Sequence, residues 1–225
     1  MKSSGASGPL DAVRTVQDSL QNFYDLVLLP DARRFVVSRE MYEELATYSG
    51  DARMRTDETL LVHESPETDT LELALFIDEQ ALRANTVERL CLVTEGVSHL
   101  LLLLFRAQFG LSVSLLELEL QAEVDKYVIC LLQAAQQRAG ALDVDLSREI
   151  RDILFGKLRL ADGVEGKEAE RYILATRLGA RYVETLEESY VETGRLAAMP
   201  GALRRFYRLS WDAKLHAVSE PAKSS

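Results

Sequence analysis

Residues 93–108 read VTEGVSHLLLLLFRAQ. The run is apolar almost all the way round a helix, which marks a helix buried inside the protein rather than laid on its surface. Yet it carries Glu95 and His99 four residues apart, and Arg106 near its end. Extended to both sides, the helical pattern covers about 86–109 and is stopped by Gly110. A second helix follows over about 115–139, stopped by Gly140. Its start is written as Ser114-Leu115-Leu116-Glu117, a capping box with Ser114 as the N-cap. The alternation LELEL at 116–120 is strand-like in isolation, but the cap and the long periodic continuation outweigh it. A connection as short as 110–114 makes the two helices an antiparallel hairpin.

Each of these helices carries one polar stripe at alternating steps of four and three, the spacing of a helix–helix seam. The first runs Glu88, Leu92, Glu95, His99, Leu102, Arg106, and the second Glu119, Glu123, Lys126, Cys130, Gln133, Gln137. With a fixed rise per residue, residues at one level of the hairpin have numbers that sum to about 224. That places Arg106 near Glu117 or Glu119, His99 opposite Glu123, and Glu95 opposite Lys126. The expectation is a buried polar seam of Glu95, His99, Arg106, Glu119, Glu123 and Lys126 that fixes register, with no catalytic residue and no metal. The competing reading is a metal or acid/base site made of Glu95, His99, Glu119 and Glu123, because helix bundles build such sites from inward-facing Glu and His. Against it stand the Glu-x-x-x-His spacing, the lack of a second histidine on the bundle, and Lys126 as a competing cation. His63 and His216 fall on the strand hairpin and the tail.

Upstream of the hairpin, Pro9 opens a helix with Leu10, Val13, Val16, Leu20, Phe23, Tyr24 and Val27 on one face, and Pro30 ends it. Phe35–Val37 reads as a short strand, Met41–Tyr48 as a short helix and 49–58 as a loop. Thr59–Glu64 and Leu71–Asp78 read as a β-hairpin around SPETDT. Downstream, helices are expected over Ser147–Leu158, 167–193, Leu203–Arg208 and Trp211–Ala217. The fold class is α+β, mainly α. A small N-terminal β-hairpin packs on a helical body centred on the 86–109/115–139 hairpin. Residues 1–8 and 218–225 read as disordered tails, and 9–217 as one domain with an α/β part (9–80) and a helical part (86–217).

The chain has 225 residues, 47% of them hydrophobic, and a net charge of −10. That charge disfavours nucleic acid and anionic membranes as partners. Leu90–Phe105 is shorter than the roughly 20 residues a membrane span needs, and MKSSGASGPLDAV has no apolar signal region. Cys91 and Cys130 lack metal-ligand spacing and suit a reducing compartment. Gly96-Val97-Ser98-His99 lacks the closing glycine of a nucleophile elbow. A cytoplasmic protein is expected.

One cationic stretch stands out. Residues 203–216 read LRRFYRLSWDAKLH. Leu203, Phe206, Tyr207 and Trp211 form an apolar stripe, with Arg204, Arg205, Arg208 and Lys214 as cations. The functional expectation is a non-enzymatic regulatory or adaptor protein, without a cofactor, that docks the acidic surface of another protein through this tail. The alternatives are a metal-dependent helical enzyme using the Glu/His cluster, and phosphate or nucleic-acid binding through the Arg-rich helix.

Overall fold

A computed structural model describes residues 10–49, 57–65, 67, 70–83, 86–138, 143–157 and 164–219. The expected tail 1–8, Pro9, most of the 49–58 loop, Gly140, Leu158 and residues 220–225 lie outside the described residues. The fold is α+β and mainly α. The helices are α1 (Asp11–Tyr24), α2 (Arg39–Ser49), α3 (Glu79–Arg83), α4 (Val87–Gln108), α5 (Leu115–Gln137), α6 (Val144–Phe155), α7 (Gly166–Leu186), α8 (Met199–Arg208) and α9 (Trp211–Ser219). The strands are β1 (Val36–Val37), β2 (Glu58–Ser65) and β3 (Thr70–Ile77).

The α4–α5 hairpin is the centre of the molecule. Ser114 caps α5 by accepting a hydrogen bond from the Glu117 N–H at 3.1 Å. Thr86 caps α4 by accepting from the Arg89 N–H at 3.2 Å. The register follows the short connection: Arg106 meets Glu117, Ser98 meets Asp125, Glu95 meets Lys126 and Cys91 meets Cys130. Leu100, Leu101, Leu102, Leu120 and Val124 are fully buried, and each such side chain contributes about 1.5–3 kcal/mol of burial free energy. α1 packs on α4, α7 on α5, α8 on α1 and α9 on α7. One hydrophobic cluster runs through all of them, from Val13 to Val218.

The sheet has the order β1-β3-β2. β2 and β3 form the expected antiparallel hairpin, from Glu58 opposite Ile77 to Ser65 opposite Thr70. β1 lies parallel to β3 on its other side. Leu75 and Ile77 enter the main core. On the opposite face Phe76 stacks on Tyr42 of α2, with ring centroids 4.7 Å apart, so α2 covers the second side of β3.

Several boundaries differ from the sequence reading. α1 stops at Tyr24, well before Pro30, because Asp25 takes a left-handed cap conformation (φ 56°) and closes the helix with an N–H bond to the Gln21 carbonyl. Val27 therefore leaves the buried face and is 69% exposed. α6 starts at Val144 rather than Ser147, since Asp143 supplies the N-cap and accepts from the Leu146 N–H at 2.8 Å. The last turn of the long helix α7 widens into a π-helix over Glu187–Val191. Val218, assigned to a disordered tail, sits in α9 and is buried, because it reaches the main core. The length argument against a membrane span also fails, since α4 has 22 residues and is long and apolar enough to cross one. In this fold 56% of its most apolar window lies inside the protein, which is compatible with the core helix of a soluble protein.

Candidate functional site

Polar residues lie on two faces of α5. Glu117, Gln121 and Asp125 follow one another at steps of four, and Glu119 and Glu123 do the same two residues out of phase. Two residues are about 200° of helix, so the sets face opposite ways, and each reaches α4 with a different partner.

The first face is tightly bonded. Asp125 accepts from the Tyr24 hydroxyl at 2.5 Å, the Ser98 hydroxyl at 2.6 Å and the Gln121 amide at 2.9 Å. Lys214 of α9 donates to Gln121 Oε1 at 3.0 Å and pairs with Glu117 at 3.1 Å. Glu117 also takes the Arg106 guanidinium, which in turn donates to the Leu209 carbonyl at 2.6 Å. Burial pushes the Asp125 carboxyl up to about 6, against its three donors. Burial likewise pulls the Lys214 ammonium down to about 8, against the attraction of Glu117.

The second face is looser. His99 lies between two carboxylates, with Nε2 3.5 Å from Glu119 Oε2 and Nδ1 3.7 Å from Glu58 Oε1. Lys126 lies 3.3 Å from Glu95 and 3.0 Å from Glu123. Arg171 of α7 lies 3.5 Å from Glu119 Oε1, and the Thr176 hydroxyl donates to Glu123 at 3.3 Å. Burial opposes charge on the His99 ring, but Glu119 and Glu58 outweigh it and raise its titration well above the usual histidine value. Burial raises Glu58 and Glu123. Glu95 is lowered, because Lys126 and His99 overcome its desolvation. One ligand atom each from Glu95, His99 and Glu119 lie within 4.8 Å of one another, so these three could hold a metal ion.

Two glycines let the neighbouring elements close on this face. A Cβ on Gly96 of α4 would lie 2.9 Å from Glu58 Cγ and Oε1, and one on Gly179 of α7 would lie 2.7 Å from Glu123 Cβ. A helix-interior glycine costs about 1 kcal/mol relative to alanine. Here that cost brings β2 against α4 and α7 against α5.

The expected seam is thus split. Glu95 does meet Lys126, and Arg106 meets Glu117, but His99 meets Glu119 rather than Glu123. The rise per residue fixes level only to about a turn. α7 presses on Glu123 through Gly179 and Thr176, Lys126 captures its carboxylate, and Glu119 is left for the ring. Glu58 lies outside the expected seam, because the polar composition of 49–58 reads as a loop whereas Glu58 opens β2. Glu117–Gln121–Asp125 was visible as a second polar ridge at helical spacing.

The C-terminal tail is mostly turned inward. Lys214 is fully buried at 0% exposure, and Phe206 and Tyr207 are buried as well. Phe206 stacks on Tyr182 at 3.9 Å between centroids, and Tyr207 on Tyr24 at 4.4 Å. Arg204 donates to the Phe23 carbonyl at 2.7 Å, and Arg208 to the Tyr24 and Asp25 carbonyls at 2.8 and 3.0 Å, so both cap the C-terminus of α1. Arg205 is exposed, and Trp211 partly so. The chain was compared with protein-family models, with curated proteins and with solved structures, and no match was found.

Proposed function

We propose that the protein is a regulatory or adaptor protein that docks another protein, and that it does so through an apolar rim at the turn end of the α4–α5 hairpin. Leu28 carries the reading. Its side chain is 91% exposed and its backbone holds φ 63°, a left-handed conformation that costs a residue with a Cβ about 1–2 kcal/mol. Strain held in place to present a large apolar side chain to water is a feature of recognition surfaces.

Leu28 is not alone. The Gln108 amide donates to its carbonyl at 3.3 Å, which ties the loop after α1 to the end of α4. Val27, Phe105, Phe109 and Leu111 line one groove there together with Arg106, Arg208 and one acid, Asp25, and Phe109 is 63% exposed. The positive charge of Arg208, and of exposed Arg205 on the same helix, suits a partner segment with apolar side chains flanked by carboxylates. This keeps the acidic partner expected from the sequence but moves the docking surface from the tail to the groove beside it.

The test compares proteins co-purifying with tagged wild type and with a Leu28→Ser/Phe109→Ser variant. Both side chains are exposed, so the fold should be spared, with a change of about 0.5 kcal/mol or less per site. The expected result is loss of a wild-type partner that also dissociates as salt rises. Leu28→Gly sharpens it: relief of the backbone should stabilise the protein by up to about 1 kcal/mol while the partner is lost. A double variant that retains every wild-type partner overturns the proposal.

A further inference from the structure

We infer that Glu95, His99 and Glu119 form a binding site for one divalent first-row transition-metal ion, in which Nε2 of His99, its proton displaced to solvent by the ion, and one carboxylate oxygen from each glutamate are the protein ligands. The inference does not depend on the docking rim, whose groove is lined by other residues.

The first observation is the spacing. His99 Nε2 and Glu119 Oε2 are 3.5 Å apart, beyond the range of about 2.7–3.2 Å for an N–H···O hydrogen bond. Zinc-type ions hold imidazole nitrogen and carboxylate oxygen at about 2.0–2.2 Å in tetrahedral geometry. Two such ligands then lie about 3.3–3.5 Å from each other. The gap is wrong for a hydrogen bond and right for two ligands of one ion. Glu95 adds a third donor within 4.8 Å of both, so a modest side-chain closure completes the set.

The second observation concerns the burial of the same ring nitrogen. His99 is 7% exposed, and its Nε2 makes no hydrogen bond. A buried polar atom left without one costs about 1–3 kcal/mol. This nitrogen faces Glu119 at 3.5 Å.

The surroundings match an outer shell. Metal-bound histidines commonly have a carboxylate facing the other ring nitrogen, and bound carboxylates have partners of their own. Glu58 faces His99 Nδ1, and Arg171 faces the second oxygen of Glu119. Lys126 is the competing cation, but it lies closer to Glu123 than to Glu95, so an ion on Glu95 leaves Lys126 a partner. Glu95 and Lys126, with side-chain exposures of 18% and 14%, are more exposed than His99 and Glu119, so this is the side from which an ion would enter. One imidazole with two carboxylates favours zinc, iron(II), manganese or cobalt(II) over thiolate-seeking copper(I), and three donors are too few for calcium.

The test uses the full chain, stripped with chelator and titrated with cobalt(II). Binding should give visible d–d absorption that saturates near one equivalent, and zinc should bleach it stoichiometrically. Glu95→Gln, at the exposed edge of the site, should weaken cobalt binding at least about 10-fold, and His99→Gln should abolish it. Circular dichroism should show both variants folded. If His99→Gln does not fold, Glu95→Gln and the wild-type spectrum still decide the matter. A wild-type spectrum equal to that of aqueous cobalt overturns the inference. So does uptake undiminished in Glu95→Gln, which would mean an adventitious surface ion only.

Discussion

The two faces of α5 use the same kinds of residue to opposite ends. On the Glu117–Gln121–Asp125 face, charges and hydroxyls meet at 2.5–3.1 Å and draw in α1, α4 and α9. On the Glu119–Glu123 face the His99 and Arg171 pairs stand at 3.5–3.7 Å. A buried polar network that is fully bonded rigidifies its surroundings, whereas one that is only partly bonded is costly unless something completes it. The tight face is a lock between helices; the loose face leaves His99 Nε2 without a hydrogen bond.

Removing the centre of each face should separate them most clearly. Glu117→Ala strands Arg106 and Lys214 together in the interior, and breaking a buried pair from one side costs about 3–5 kcal/mol. Glu123→Ala leaves Lys126 with Glu95 and takes away a carboxylate that burial already disfavours. It should cost only about 1–3 kcal/mol. Urea denaturation of both variants measures the difference. Equal losses would break the distinction between lock and open site.

The pH dependence of stability sharpens the tight side further. Lys214 titrates at about 8 when folded against an ordinary 10.5. Between those values the unfolded chain holds a proton that the folded chain lacks, so stability rises as pH rises from about 8 to 10.5. Asp125 runs the other way. Its folded value is about 6 against an ordinary 3.8, so the folded chain holds the extra proton and stability falls as pH rises from about 4 to 6. Shifts of about two units each correspond to roughly 3 kcal/mol per group. In difference profiles the first slope should vanish in Lys214→Met and the second in Asp125→Asn. Profiles identical to wild type would mean that water reaches both groups.

These contrasts explain what the sequence disclosed. The hairpin was legible because Ser114 and Gly110 mark helix ends, and because a short connection leaves only an antiparallel arrangement. Levels along it followed from the rise per residue. Azimuth did not: whether His99 meets Glu119 or Glu123 depends on α7 and β2, which are distant in sequence. The tail shows the same limit. The stripe Phe206, Tyr207 and Trp211 was recognisable, but burial of Lys214 rests on Glu117 and Gln121 lying beneath it. Nor does local sequence reveal that Arg204 and Arg208 cap α1, whose end is set by the backbone of Asp25.

The smallest effect is expected at Gly96, and it bears on how the loose side is held open. Alanine in a helix interior is favoured over glycine by about 1 kcal/mol. At Gly96 the added Cβ would meet Glu58 Cγ and Oε1 and Leu75 Cδ1 at 2.9 Å, all side-chain atoms that can move aside. Gain and clash should nearly cancel, leaving Gly96→Ala within about 1 kcal/mol of wild type. At Gly179 the added Cβ would meet Glu123 Cβ at 2.7 Å, an atom fixed to its backbone, so α7 itself must shift and Gly179→Ala should cost clearly more. Urea denaturation of the two variants gives the order. Because the displacement in Gly96→Ala falls on Glu58, the carboxylate facing His99 Nδ1, this variant should also weaken cobalt binding while remaining nearly as stable as wild type. A Gly96→Ala loss as large as that of Gly179→Ala would mean that β2 is held against α4 as rigidly as α7 is against α5, and the loose face would then have no side that yields.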